Sequence, residues 1–210
     1  AVDGYSRVIV FMAASNNNRQ ETVLQSFLGA VASYGLPSRV RTDCGGENNA
    51  TCGVMELLQG EGRGSAIRGS SVHNQRIERL WLDMWNGATA VFHSLFHFME
   101  QQQLLSADSD IQLWALHYVF LPRINQALRN FVQQWNHHPL RTETNQSPLQ
   151  IFAVRSIELR HELNYSQAGN VFPAHDAPLT AVVTNAGDTF QWNEVAVSVP
   201  ETTCPLNAEQ

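Results

Sequence analysis

The order of secondary structure predicted for the first part of the chain is the feature that most limits its fold. Residues 6–14, SRVIVFMAA, form a nearly continuous apolar run with β-branched members, which is typical of a strand buried on both faces. The cluster SNNN at 15–18 offers N-cap oxygens to a helix of about residues 19–34, which Gly35 ends. A short strand at 38–42 follows. Strand, helix and strand in this order predict an α/β fold.

Two acidic residues occupy contrasting positions in this predicted layout. Asp43 follows the second strand, and the two glycines after Cys44 let the backbone turn sharply there. A last short strand, roughly 65–69, precedes a helix that carries Glu78 near its start and extends to about residue 103, with a weak point at Gly87. The apolar stripe of this helix consists of Ile77, Leu80, Trp81, Met84, Ala88, Val91, Leu95 and Met99.

An acid at the end of a strand and an acid in the first turns of a helix can meet around a cation. Mg²⁺ prefers oxygen ligands, and a pair of such ions can hold the attacking and leaving oxygens of a displacement at phosphorus. The spacing of Asp43 and Glu78 does not by itself decide whether they share a metal site.

The second half of the sequence is predicted to be mostly helical until about residue 162. A long helix spans about 110–135, with a kink or break at Pro122 because proline lacks the backbone N–H. Beyond the helices, residues 180–199 are predicted to form a β-hairpin.

Composition and charge exclude several classes of protein. The net charge of −6 argues against binding of nucleic acid by bulk electrostatics, although all 13 basic residues are Arg, which favours bidentate phosphate contacts. Three cysteines without CxxC spacing indicate neither a disulfide framework nor a zinc site. No apolar stretch is long enough to span a membrane and no signal peptide is recognised, so an intracellular protein is expected.

Four blocks of the sequence resemble the catalytic core of retroviral-type integrases and their transposon relatives, and they occur in the family's order. These blocks are DGYSRVIVF at 3–11, TDCGGEN at 42–48, HNQRIERLW at 73–81 and WNHHPLRTETNQSPLQIF at 135–152. Between Asp43 and Glu78 lie 34 residues, within one of the interval that gives the D,D(35)E family its name. The resemblance implies a ribonuclease-H-like mixed sheet flanked by helices.

The resemblance also implies a function, a cofactor and partners. Asp43 and Glu78 would be two of three carboxylates that hold Mg²⁺ or Mn²⁺, and water or a DNA 3′ hydroxyl would attack a phosphodiester. The expected partners are the DNA ends of the element and its target, and the active form would be a homo-oligomer, nuclear if the host is eukaryotic.

The third carboxylate is the point at which the sequence departs from the family pattern. Asp3 matches a position after the family's first catalytic Asp, so we expect that Asp to lie upstream of Ala1 in a missing first strand; the alternative is that Asp3 serves. In the first case this fragment alone would be inactive. The predicted organisation is a truncated catalytic core at 1–105, a helical continuation at 106–162, and a small β-rich appendage or the start of another domain at 163–210.

Other residues have a functional and a structural interpretation. Four arginines surround the Glu78 region and either face DNA or form a solvated surface, namely Arg63, Arg68, Arg76 and Arg79. Five histidines have comparable alternatives. His73 could contact the scissile phosphate; His93 and His97 have helical spacing for zinc but sit among aromatic rings; His137 and His138 either position DNA or stabilise a turn.

Two classes of function are therefore compatible with the sequence. One is an integrase or transposase core with metal-dependent chemistry. The alternative is a domesticated or inactive module that keeps the fold and binds DNA or protein without catalysis.

Overall fold

The chain forms a helix-rich α/β structure, described by a computed structural model for residues 1–43, 45–69 and 75–166. The predicted hairpin at 180–199 and His73 lie outside the described residues. The helices are Gln20–Tyr34 (α1), Asn49–Gln59 (α2), Gln75–Met84 (α3), Ala90–Gln101 (α4), Asp110–His137 (α5) and Pro148–Ser166 (α6); the strands are Val40–Thr42 (β1) and Ala66–Arg68 (β2). No helix in these ranges is both long enough and apolar enough to cross a membrane.

The helix and the second strand of the predicted strand–helix–strand order are present as α1 and β1. The strand predicted before α1 is not a regular strand. α1 ends at Gly35, whose φ of 89° suits glycine and whose N–H donates to Val31 O at 2.9 Å. Leu24 and Phe27 of α1 pack with Val54 and Met55 of α2 in a buried cluster. This cluster supports β1 from one side, because Val40 packs against it.

β1 and β2 form a two-stranded parallel sheet, in which Val40 pairs with Ala66 and Thr42 with Arg68. The Gly69 N–H donates to Thr42 O at 3.2 Å and continues the ladder beyond β2. Because the strands are parallel, their carboxyl ends lie at the same edge of the sheet. Asp43 follows β1 at that edge.

The prediction of a central strand at 6–14 is wrong for most of its length. The segment makes an isolated antiparallel bridge between Val2 and Ile9, flanked by hydrogen bonds from Asp3 N–H to Val8 O at 2.8 Å and from Val10 N–H to Ala1 O at 3.1 Å. Val8 and Ile9 are nevertheless completely buried, as the apolar pattern predicts. The segment is a hairpin arm that is buried at Val8 and Ile9, and not a regular strand of a sheet.

Two asparagines of α5 take the place of a neighbouring strand along this arm. Asn136 Oδ1 accepts from Ile9 N–H at 2.9 Å, and Asn136 Nδ2 donates to Ile9 O at 3.0 Å. Asn125 binds the N–H and C=O of Ala14 in the same way, with both distances 2.9 Å. A primary amide carries a donor and an acceptor side by side, so each Asn satisfies both backbone groups of one residue.

The long helix that begins with α3 changes geometry in its middle, where Trp85–Thr89 form a π-helical turn between α3 and α4. Gly87 lies in this turn, and a Cβ added there would come within 3.0 Å of the Phe131 ring of α5. The weak point predicted at Gly87 is therefore a place of close helix approach. Phe131 belongs to a second buried cluster with Ile9 and Leu80, which joins the hairpin arm, α3 and α5.

Substitution of Gly87 by Val should destabilise the protein by about 1–3 kcal/mol, because the branched side chain must displace a well-packed ring. Gly29 in α1 is the matched control, since a Cβ there meets no atom within 4 Å. We expect Gly29→Val to change the free energy of unfolding by less than about 0.5 kcal/mol. Urea unfolding of both variants measures the difference, and equal midpoints would contradict the close approach.

The helix that contains Pro122 is not broken there, so the prediction of a break is wrong, while the alternative of a kink stays a prediction. α5 runs continuously from Asp110 to His137 with Pro122 inside it. Nearby carbonyls gain side-chain donors: Arg123 Nη1 donates to Val119 O at 2.9 Å, and Asn125 Nδ2 donates to Leu121 O at 3.0 Å. Neither bond reaches Tyr118 O, the carbonyl whose helical N–H partner Pro122 removes.

Candidate catalytic site

Asp43 lies at the carboxyl edge of the sheet with its side chain exposed to solvent. Its Oδ1 accepts a hydrogen bond from Asn48 Nδ2 at 2.9 Å. Among the described residues its other oxygen, Oδ2, has no hydrogen-bond partner. The turn after β1 thus fixes one oxygen of the carboxylate and leaves the other available to a ligand.

Glu47 brings a second carboxylate to the same turn. The Asn48 amide also lies 3.4 Å from Glu47 Oε1, so a single NH₂ group contacts both acids. The Glu47 carboxyl carbon is 2.6 Å from the position that a Cβ of residue 45 would take, so a larger residue there would require the flexible Glu47 side chain to move. The motif TDCGGEN, with an acid before Asn, is the sequence signal for this arrangement, although the motif alone assigns no role to Glu47 or Asn48.

Glu78 lies in the first turn of α3 and is exposed. It forms no hydrogen bond or ion pair with any other described residue. The helix start is held by Arg76, whose guanidinium donates to Gly4 O in the N-terminal turn. Because Leu80 is buried in the cluster with Ile9 and Phe131, the register of α3 turns Glu78 away from the core.

The arginines near Glu78 make contacts within the protein. Arg79 Nε pairs with Asp83 Oδ2 at 3.3 Å, one helical turn away, and Arg63 Nη1 donates to Gln59 Oε1. With Arg76 bound to Gly4 O, these contacts support the interpretation as a surface network. Arg63, Arg76 and Arg79 are nevertheless exposed, so a role toward DNA stays a hypothesis.

Asp3 stabilises the turn in which it lies. Its Oδ2 accepts from Ser6 N–H at 2.7 Å, from Ser6 Oγ–H at 2.7 Å and from Tyr5 N–H at 3.2 Å. This is an Asx-type turn, in which an Asp side chain satisfies backbone donors that follow it. The turn explains why an Asp at this position is useful without metal binding.

The histidines of the closing block cap the end of α5. His137 Nδ1 is 2.8 Å from Gln133 O, and His138 Nδ1 is 2.6 Å from Trp135 O. Imidazole N–H donors in the last turn of a helix can bind carbonyls at its C-terminal end. These contacts favour the turn-stabilising interpretation.

His93 and His97 stack on the surface of α4, with ring centroids 6.4 Å apart and an angle of 21° between the planes. Trp85 meets the His93 ring edge-on at 5.0 Å. In the ranges that the structure describes, no group of three or more His, Cys, Asp or Glu side chains could hold a metal ion. The aromatic interpretation of this pair is the one that its contacts support.

Asp43 and Glu78 therefore lie on elements that are adjacent in the chain topology, without a described contact between the two side chains. Residues 70–74, which connect the end of β2 to α3, lie outside the described residues. The six steps from Gly69 to Gln75 can span at most about 20 Å of extended chain, which limits how far the start of α3 can be from the sheet edge.

The fold and the site together define a mixed α/β core, mostly helical with a small parallel sheet and an exposed acid at its edge, a layout compatible with a ribonuclease-H-like protein. The chain belongs to the integrase core domain family, which its sequence matches over residues 1–166. No curated protein and no solved structure matches it. The family as a whole acts in DNA integration and transposition.

Proposed function

We propose that this chain is the core of an enzyme that cleaves DNA phosphodiesters and joins DNA ends to a target, with Asp43 and Glu78 as metal-binding carboxylates. The observation that carries the proposal is the position of Asp43, exposed at the carboxyl edge of the parallel strands. The Glu78 helix follows the neighbouring strand of the same sheet. Their interval of 34 residues falls inside the part of the chain that matches the family.

The carboxylates of Asp43 and Glu78 are of the kind that a hard divalent cation binds. Mg²⁺ and Mn²⁺ take carboxylate oxygens, and one Asp43 oxygen and both Glu78 oxygens have no partner among the described residues. A bound Mg²⁺ or Mn²⁺ would supply charge stabilisation for displacement at phosphorus. Asp43 and Glu78 would be its ligands.

The neighbouring residues of the turn would orient Asp43 and raise the local negative charge. Asn48 holds Asp43 Oδ1 and so fixes the rotation of the carboxylate, which is the usual task of a side chain that supports a metal ligand. Glu47 lies against the same amide. Two carboxylates at one amide repel each other, and a cation beside them would relieve that repulsion.

Asp3 is not assigned as a ligand, because in the sequence it matches a position after the family's first catalytic Asp and its Oδ2 holds the turn in which it lies. The expectation that the first catalytic Asp precedes Ala1 stays a prediction. The parent gene upstream of Ala1 tests it directly: an Asp in a predicted strand would support it, and absence of any such Asp would count against the enzyme.

Strand transfer by the full-length parent protein should require Mg²⁺ or Mn²⁺. A labelled duplex with the sequence of the element's end is incubated with target DNA, and joined products are separated on a denaturing gel. We expect product with either ion and none in excess EDTA, because the proposed site contributes only oxygen ligands. Product formation at the same rate in EDTA would overturn the proposal.

The second candidate is a module that binds DNA or protein without chemistry. It is favoured by the charge distribution, since all of the net charge of −6 belongs to residues 86–210, which suits a protein partner better than phosphate. Binding of the parent to DNA ends without strand transfer under every divalent ion tested would support it.

A further inference from the structure

A trough runs along α5, on the side where the segment 11–16 passes the helix. It consists of two adjoining open grooves of ≈ 460 Å³ and ≈ 570 Å³, and Arg129 lines both of them. Phe11, Met12 and Asn16 contribute from the chain segment, while Trp114 and Gln133 mark its two ends on the helix. We refer to these two grooves as the α5 trough.

The charge of the α5 trough differs from that of the chain as a whole. The protein carries a net charge of −6, yet none of the described residues that line either groove is an Asp or a Glu. The lining instead contains the Arg129 guanidinium and several primary amides, among them Asn130 and Gln133. Arg129 is oriented by Gln126, whose Oε1 accepts from it at 2.6 Å. This lining offers one cationic contact, at Arg129, and no acidic side chain that would repel a phosphate.

An aromatic stack stands at one end of the α5 trough. The rings of Trp114 and Tyr118 lie nearly parallel, with centroids 5.4 Å apart and an interplanar angle of 15°. Tyr118 is 71% exposed, so a large part of its ring remains open to solvent beyond the stack. A flat π-system can add to this stack, and every nucleobase has a π-face.

Proteins that bind single-stranded nucleic acid combine aromatic rings that stack on bases with basic residues that contact the backbone, and the α5 trough contains residues of both kinds. Tyr118 and Arg129 are about 16 Å apart along the helix axis, a distance that a few nucleotides of an extended strand span. Bases inside a duplex are stacked on both faces, so a duplex can offer a free π-face to Tyr118 only at its ends, whereas any base of an unpaired strand can offer one.

We propose that the α5 trough binds a single-stranded stretch of DNA, with an unpaired base on Tyr118 and a backbone phosphate at Arg129. The inference rests on the proposed function, because an enzyme that processes DNA ends meets frayed and nicked strands. It adds a binding surface distinct from the Asp43 and Glu78 carboxylates.

The test is binding of a short fluorescein-labelled oligothymidine to the 210-residue chain, followed by fluorescence anisotropy in EDTA. We expect Tyr118→Ala to weaken binding roughly tenfold and Tyr118→Phe to keep it, since stacking needs the ring and not the hydroxyl. Arg129→Gln should weaken binding and reduce the slope of log affinity against log salt by about one. The corresponding duplex should bind more weakly than the single strand.

Arg123→Gln is the matched control for Arg129→Gln. Arg123 is an exposed arginine of the same helix, lies over the Phe120 ring at 5.6 Å, and lines neither groove. Removal of this charge should leave the affinity for oligothymidine within about twofold of the parent value. Because Tyr118 and Arg129 are exposed, circular dichroism should show the same melting temperature for all variants.

Failure of this proposal is distinguishable from failure of the proposed function. Binding is measured in EDTA and in an Asp43→Asn background, where no metal-dependent chemistry occurs, and it should be unchanged there. Equal affinity of Tyr118→Ala and the parent for oligothymidine would overturn the α5 trough as a strand site. Loss of self-association in Tyr118→Ala, measured by sedimentation, would also overturn the proposal, because a second copy of the chain would then occupy the α5 trough.

Discussion

Replacement of Asp43 by Asn, or of Glu78 by Gln, in the full-length parent should reduce strand transfer by more than about a hundredfold. Loss of a residue that only supports a metal ligand costs about 10–100-fold, and loss of a ligand should exceed that. Each change is nearly isosteric, but it replaces one carboxylate oxygen with an NH₂ group and removes the negative charge. Product formation over time, in a gel assay with Mg²⁺, measures the loss.

Two controls separate this effect from a general loss of charge. Glu21 is an exposed Glu in the first turn of α1, as Glu78 is in the first turn of α3, and Asp108 is an exposed Asp in a turn. Glu21→Gln and Asp108→Asn should retain full activity. Asn48→Ala should fall between the groups, about 10–100-fold below the parent. Undiminished strand transfer by either Asp43→Asn or Glu78→Gln would refute the assigned site.

Replacement of Asn136 by Ala should lower the free energy of unfolding by about 2–4 kcal/mol, because two buried backbone groups lose their hydrogen-bond partner. Asn136 is 5% exposed, and Ile9, whose N–H and C=O it binds, is fully buried. A buried polar group left without a partner costs about 1–3 kcal/mol, and this substitution leaves both the N–H and the C=O of Ile9 unsatisfied. Urea unfolding followed by circular dichroism measures the change.

Asn130 provides the control for this experiment. It is an exposed Asn of the same helix whose side chain accepts from Gln126 Nε2 at 3.0 Å. Asn130→Ala should change the free energy of unfolding by less than about 0.5 kcal/mol. If Asn136→Ala were as stable as Asn130→Ala, the amide would not be the partner on which Ile9 depends.

Local patterns predicted α1, the position of Asp43 after β1, and the irregularity at Gly87 because each depends on neighbours in sequence. The glycine after Tyr34 ends α1 irrespective of what the helix packs against. The glycines that follow Asp43 likewise mark a turn. The same reasoning located Asp43 and Glu78 on separate elements. Whether their carboxylates share a metal ion depends on residues 70–74 and on a third acid, neither of which local periodicity describes.

The segment 6–14 and Pro122 show where local reasoning is insufficient. A run of β-branched residues predicts burial, and burial was confirmed for Val8 and Ile9, but the hydrogen-bond partners of that backbone come from side chains more than a hundred residues away. Asn125, three residues after Pro122, binds Ala14 as well as Leu121 O, so this part of α5 is held against a segment that is distant in sequence. Partners of this kind follow from tertiary packing, which a single sequence does not reveal.

The two asparagines of α5 also restrict how the chain can change in length. Asn125 and Asn136 are eleven residues apart, which corresponds to about 16.5 Å along a helix axis. Their partners, Ala14 and Ile9, are five residues apart, which corresponds to about the same length of extended chain. An insertion or deletion of one residue inside either interval would put one amide out of reach, so relatives that keep both asparagines should keep both intervals and place their length variation elsewhere.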